Sequence, residues 1–300
     1  MLKVAWSPIY NHPLPPKHRF PMEKYDLLPK QLIHEGTIHE SNLFAPRKLT
    51  PNEILAVHSA NYWKKLQALD FTRQEERRSG FPISQGLVKR EVTINAGTIQ
   101  CAEYALQYGI AMNIAGGTHH AFTDRAEGFC LLNDIAIASR YLLDLKKAQK
   151  ILVVDLDVHQ GNGTAEIFQN EDRVFTFSMH GEHNYPLKKE KSDLDISLAD
   201  GTEDRIYLKT LDYHLKKLMD QVNPDFIFFQ SGVDVLKTDK LGRLGLTING
   251  CRERDYNVIS LAKEHNIPLV ASMGGGYSEN IKHILEAHAN TYRVAQEIYF

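Results

Sequence analysis

Asp155, Asp157 and His159 alternate at the end of the apolar run Ile151-Leu152-Val153-Val154, and Gly161 and Gly163 follow at once. The run is rich in β-branched residues and reads as a buried parallel strand. Side chains alternate along a strand, so the three polar residues lean to one side if the extended conformation persists. Carboxylates and an imidazole crowded at a strand end must be paired or bound to a metal, because isolated buried charge is costly. Asp234, in Gln230-Ser231-Gly232-Val233-Asp234, offers a further ligand group. With Asp157 and His159 it supplies one nitrogen and two carboxylates, leaving positions open for water and substrate, as catalytic metal sites do. Zinc is the default ion; carboxylate-rich ligation also suits Fe(II), Co(II) or Mn(II). An Asp after Ser-Gly is also a common helix cap, so Asp234 alone is weaker evidence.

Two further segments carry reactive groups. Gly116-Gly117-Thr118-His119-His120 sets adjacent histidines after a glycine turn that allows close backbone approach. Beside a metal, two imidazoles provide a base and an acid near neutral pH; in a surface loop they are polar filler. Gly274-Gly275-Gly276-Tyr277 is a tight bend without a Walker A pattern. Its tyrosine either donates to a developing oxyanion or packs in the core.

All four segments follow strand-like runs: Ala111–Ala115, Ile151–Asp155, Phe226–Phe229 and Leu269–Ser272. Val4–Trp6 and Val174–Ser178 complete the strand set. Helical patterns lie over Met22–His34, Val88–Gln107, Asp134–Lys146, Glu203–Gln221, Arg252–His265 and Glu279–Glu297, and Thr50-Pro51-Asn52-Glu53 is a capped helix start. This alternation predicts a mostly parallel sheet between helices, whose ligands bind beyond the strands' carboxyl ends. Asp70–Ser84 and the lysine-rich Gly181–Asp200 read as surface loops, either rims of a site or solvated insertions.

Composition narrows the function. The 300 residues suffice for one large α/β domain or two small ones. A formal net charge of -2 argues against direct nucleic-acid binding, and no apolar run approaches a membrane span. The first residues read as a strand rather than a signal peptide. Cys101, Cys130 and Cys251 form no CxxC and read as free thiols of a cytoplasmic protein.

Together these segments resemble the zinc-dependent histone deacetylase family, which includes acetoin-utilisation proteins and acetylpolyamine amidohydrolases. The likeness spans nearly the whole chain: Ser7–Tyr10, His18–Tyr25, Gly116–His120, Gly128–Cys130, Asp155–Gly163, Gly232–Asp234 and Gly274–Tyr277 match in order and spacing. Asp155–Gly163, Gly201–Asp204 and Asp239–Gly242 look closest to the class IV branch. The resemblance implies the arginase–deacetylase α/β fold, with residues 1–300 as one catalytic domain. It implies a deacetylase or deacylase that removes an acetyl or longer acyl group from lysine by attack of a zinc-bound water. By it, Asp157, His159 and Asp234 hold Zn²⁺, with Fe²⁺ or Co²⁺ as alternatives. His120 matches the general base and acid, His119 its electrostatic partner near Asp155, and Tyr277 the donor to the substrate carbonyl. Gly128, Phe129, Tyr185, Leu241 and Gly275 belong to the substrate channel, and Arg19 to its floor. Potassium is implied near Asp155, Asp157, His159 and Ser178.

Two departures are informative. Asn162 stands where several relatives carry Asp as the partner of the second histidine; a neutral amide orients an imidazole without stabilising its cation. Leu241 stands where the polyamine branch carries Glu, which disfavours acetylpolyamines. Other readings stay open: a deacylase of small acylated amines, a binuclear ureohydrolase on the same fold, and an acyl-lysine binder with a degraded site.

Overall fold

The apolar run Ile151–Asp155 forms a strand buried along its whole length, as expected of a central parallel strand covered on both faces. The computed structural model describes residues 1–300. In chain order its strands are β1 (Lys3–Ala5), β2 (Leu43–Phe44), β3 (Ile110–Asn113), β4 (Ile151–Asp155), β5 (Val174–Gly181), β6 (Leu194–Leu198), β7 (Phe226–Gln230) and β8 (Leu269–Ser272). They make one sheet in the order β2-β1-β3-β8-β7-β4-β5-β6, and every pairing is parallel. Asp155, Gln230 and Ser272 lie in register across β4, β7 and β8, so the loops bearing the reactive segments leave the sheet side by side.

The helices are α1 (Lys24–His34), α2 (Pro51–Leu55), α3 (Ala60–Ala68), α4 (Arg73–Ser79), α5 (Gln85–Tyr108), α6 (Asp134–Asp144), α7 (Asn162–Phe168), α8 (Asp204–Val222), α9 (Ile248–Glu264) and α10 (Ile281–Tyr299). Helices α5, α6 and α7 pack in one layer, and α8, α9, α10 and α1 pack in another. The sheet between them carries the Phe226, Phe228 and Phe229 side chains, all fully buried. Thr50 caps α2 through a capping box with Glu53, as its sequence implies. No helix is long and apolar enough to cross a membrane.

Two expected surface loops contain regular structure. Residues 70–84 hold α4, which starts with a Thr72–Glu75 capping box. It has no apolar stripe, so hydrophobic periodicity gives no sign of it. Residues 181–200 hold the edge strand β6, whose Asp195 and Ser197 are tolerated because one edge faces no further strand.

Arg254 of α9 ties the site loops to the sheet. Its fully buried guanidinium pairs with Asp255 at 2.7 Å. It also donates to the carbonyls of Leu156 (3.3 Å), Gly232 (2.5 Å) and Ser231 (3.2 Å). Those carbonyls flank Asp157 and Asp234. Arg254→Met leaves a buried carboxylate and three carbonyls without this donor, so a loss of about 3–5 kcal/mol of stability is expected. Urea unfolding measures it; a loss below about 1 kcal/mol, the scale of an exposed pair, would show that the clamp is dispensable.

Candidate active site

The β4 loop and the β7 loop bring Asp157, His159 and Asp234 together, all buried. One ligand atom from each lies within 4.8 Å of the others. His159 Nδ1 sits 3.0 Å from Asp157 Oδ1 and 3.1 Å from Asp234 Oδ2. The carboxylates are aimed by backbone donors. Gly275 N–H donates to Asp157 Oδ2 at 2.8 Å, and Val158 N–H donates to Asp234 Oδ1 at 3.0 Å. Gly275 has to be glycine here, since a Cβ would stand 2.0 Å from Asp234 Oδ2.

This cluster is under electrostatic load. Burial and the Asp157 charge push the Asp234 carboxyl up to about 7. Against the cost of burial, the imidazoles of His119 and His159 hold Asp157 well below the usual carboxylate range. Burial also opposes charge on His159, but hydrogen bonds to the two carboxylates outweigh it and raise the imidazole to about 10. Two acids and an imidazole that must share protons in a dry site are a donor set suited to a divalent cation, which would take the protons' place.

The two adjacent histidines are pushed in opposite directions. His119 Nδ1 contacts Asp155 Oδ2 at 2.7 Å; despite the cost of burial, the carboxylates of Asp155 and Asp157 raise it to about 9. His120 is held well below its ordinary value by burial first, then by the charges of His119 and His159. The rings are 4.1 Å apart. Neighbouring groups with diverging proton affinities are the arrangement acid–base chemistry requires.

His120 Nδ1 lies 2.6 Å from Asn162 Oδ1, while Asn162 Nδ2 donates to Glu127 Oε1 at 2.9 Å. The amide oxygen can only accept, so Nδ1 carries the hydrogen and Nε2 keeps its lone pair. Asn162→Asp puts a carboxylate against the imidazole and raises its proton affinity. The base then stays protonated to higher pH, and the acidic limb of kcat/KM moves upward. The new carboxylate would also face Glu127, so the cleaner test carries E127Q as well, whose amide can donate to it. An unmoved acidic limb in both variants would separate Asn162 from the proton affinity of His120.

Above the cluster opens a cavity of about 450 Å³, lined by His120, His159, Gly128, Phe129, Tyr185, Leu241 and Tyr277 among others. Phe129 has a left-handed φ of 67°, and its N–H donates to Ser79 O at 2.7 Å. The ring centroid of Phe129 is 5.9 Å from that of Tyr277, and Tyr185 stands edge-on to His120 at 5.2 Å. Tyr277 is positioned through its backbone N–H, which donates to Asp239 Oδ2 at 2.6 Å.

Arg19 departs from expectation. It is exposed at the cavity mouth, 5.0 Å from the Phe129 ring centroid, and does not form the floor. It has no carboxylate partner that would offset burial, so the guanidinium stays in water. The cavity beneath is lined instead by Arg90, which is buried with Glu91 as its partner.

Sequence reasoning gave Lys24 no role, yet it is fully buried below Tyr277. Its Nζ donates to Gly274 O at 3.1 Å and lies 5.7 Å from the Tyr277 ring. Burial lowers the ammonium to about 8, in spite of Asp234 and Asp157 nearby. One signal was present: Lys24, Leu28 and Leu32 recur at helical spacing and all are buried, so the lysine continues the apolar stripe of α1.

The sheet order, the buried acid–imidazole cluster and the paired histidines define an α/β protein with a candidate metal site at the carboxyl ends of its parallel strands. The sequence pattern of the histone deacetylase domain matches residues 18–292. The chain therefore belongs to the histone deacetylase family. It is 43% identical over 99% of its length to an uncharacterised protein of Picosynechococcus sp., covering 99% of that protein. Histone deacetylase 2 of Arabidopsis thaliana is 30% identical over 89% of the chain, with 72% of the plant protein covered. Human histone deacetylase 1 is 31% identical over 89% of the chain, which spans 58% of the human protein. In structure, a histone deacetylase homologue from Aquifex aeolicus aligns with a TM-score of 0.84 at 24% identity, covering 98% of this chain and 84% of that one.

Proposed function

We propose that this chain is a metal-dependent deacylase that hydrolyses the amide of acylated lysine. The observation that carries the reading is the convergence of Asp157, His159 and Asp234 at the base of a cavity whose wall also holds His120 and Tyr277. Residues 1–300 act as one catalytic domain. The three converging side chains hold one divalent ion, zinc by preference, with iron or cobalt as substitutes. When bound, such an ion polarises the scissile carbonyl and acidifies water. A potassium ion near Asp155, Asp157, His159 and Ser178 belongs to the same reading.

The chain's own groups then divide the work. The free lone pair of His120 Nε2 takes a proton from the attacking water, and the same imidazole returns it to the leaving amine nitrogen. The C–N bond breaks, giving a carboxylate and a free amine. His119, held by Asp155, favours negative charge beside it. The Tyr277 hydroxyl donates to the carbonyl oxygen as that oxygen gains charge. Phe129 and Tyr185 flank the acylated stem with apolar surface, and Gly128 and Gly275 let it approach closely. Leu241 at the mouth offers no charge to a second ammonium.

The test is a panel of lysine peptides carrying acetyl through long-chain acyl groups, run beside acetylspermidine with defined metal. Turnover of one or more acyl-lysines above acetylspermidine is expected. Faster turnover of the polyamine would contradict both the lysine assignment and the part given to Leu241.

A further inference from the structure

The mouth of the cavity is cationic in a chain whose formal net charge is -2. Arg19, Arg77, Arg78 and Arg243 all line it, and no carboxylate does. Of these only Arg243 has an acidic partner, Asp200 at 3.2 Å. Arg19, Arg77 and Arg78 are exposed and form no ion pair. An adjoining depression of about 570 Å³ shares Arg19, Arg77 and Gly80 with the cavity and adds Arg73. Its one acid is Glu76, whose Oε1 accepts from Ile83 N–H at 3.2 Å. Arg73 and Arg77 are four residues apart on α4 and share a face.

This rim is fixed relative to the catalytic cavity. Gly128 N–H donates to Arg78 O at 3.0 Å, and Phe129 N–H donates to Ser79 O at 2.7 Å. The end of α4 is thereby bonded to the wall that holds Phe129. Guanidinium groups keep their charge at every working pH and suit carboxylate geometry. Here they come from one helix and two loops, so they meet several separated anions better than one compact anion.

We propose that the depression beside the cavity binds the residues flanking the acylated lysine, and that the substrate is an acidic peptide segment with Asp or Glu on that side. This rests on the acyl-lysine reading above and adds to it the charge of the sequence around the lysine. Basic segments are disfavoured, because like charges at the rim repel them.

The experiment uses peptides with one acyl group and acidic, neutral or basic flanks. Metal-loaded protein is assayed for kcat/KM, and for affinity by fluorescence polarisation of the same labelled peptides. Both should rank acidic above neutral above basic, with about tenfold between the extremes at low salt and a smaller spread at high salt. R77E/R78E should invert the ranking, and R19E, on a different element, should compress it; circular dichroism checks that both variants are folded. A flat ranking, a preference for basic flanks, or a ranking unmoved by R77E/R78E overturns the proposal. So does preference for a small phosphorylated acyl-amine over every acidic peptide. Absence of hydrolysis across all peptides would defeat the functional reading, while the polarisation ranking would still decide the charge preference by the same criteria.

Discussion

His120→Ala is expected to lower kcat on an acyl-lysine peptide by about 10²–10⁴, the range that a positioned acid–base group supplies, with metal content unchanged. The expectation follows from position. His120 Nδ1 is occupied by Asn162, so Nε2 is the face left for reaction, and the imidazole lines the cavity beside His159 and Tyr277. Burial disfavours its charged form, and the neutral imidazole is the form a base needs. It is not one of the three converging ligand groups, so elemental analysis separates its role from theirs. Near wild-type turnover with full metal content would remove His120 from the reaction.

Asp157→Asn should have the opposite signature: metal lost together with activity. An amide oxygen carries no formal charge to offer a cation. The Asp157 Oδ2 position already accepts from Gly275 N–H, so an amide nitrogen turned that way would set two donors face to face. Added zinc should raise the melting temperature of the wild-type protein, because a ligand that binds only the folded state stabilises it, and should leave that of the variant unmoved. A variant that keeps stoichiometric metal and the same thermal response would show that Asp157 is not a ligand.

What the sequence made legible follows from where each signal is stored. Strands β4, β7 and β8 are buried along their whole length and are written as apolar runs, so their ends locate the segments that carry Asp157, Asp234 and Tyr277, whose roles came from the family resemblance. The edge strands carry little such signal: β2 has two residues, and β6 alternates Asp195 and Ser197 with apolar neighbours inside a lysine-rich stretch. Helix α4 carries its signal at its ends, in the Thr72–Glu75 cap and the left-handed Gly80, which periodicity does not detect. The residues that were missed act through long-range contacts. Lys24 meets Gly274, Arg254 meets the carbonyls behind Asp157 and Asp234, and Glu127 supports Asn162 and Tyr185. Nothing local to those residues names their partners. Arg19 was misplaced for a related reason: its motif fixes its position in the chain, whereas rim or floor depends on the carboxylate it lacks.

The most direct measurement is the number of divalent ions that Asp157, His159 and Asp234 take up. Elemental analysis of the native protein, taken beside hydrolysis of an acyl-lysine peptide before and after chelation, measures it. One divalent ion per chain is expected, with hydrolysis lost on its removal and restored by adding zinc. Hydrolysis that persists in metal-free protein, or a folded chain that takes up no divalent ion, would contradict it.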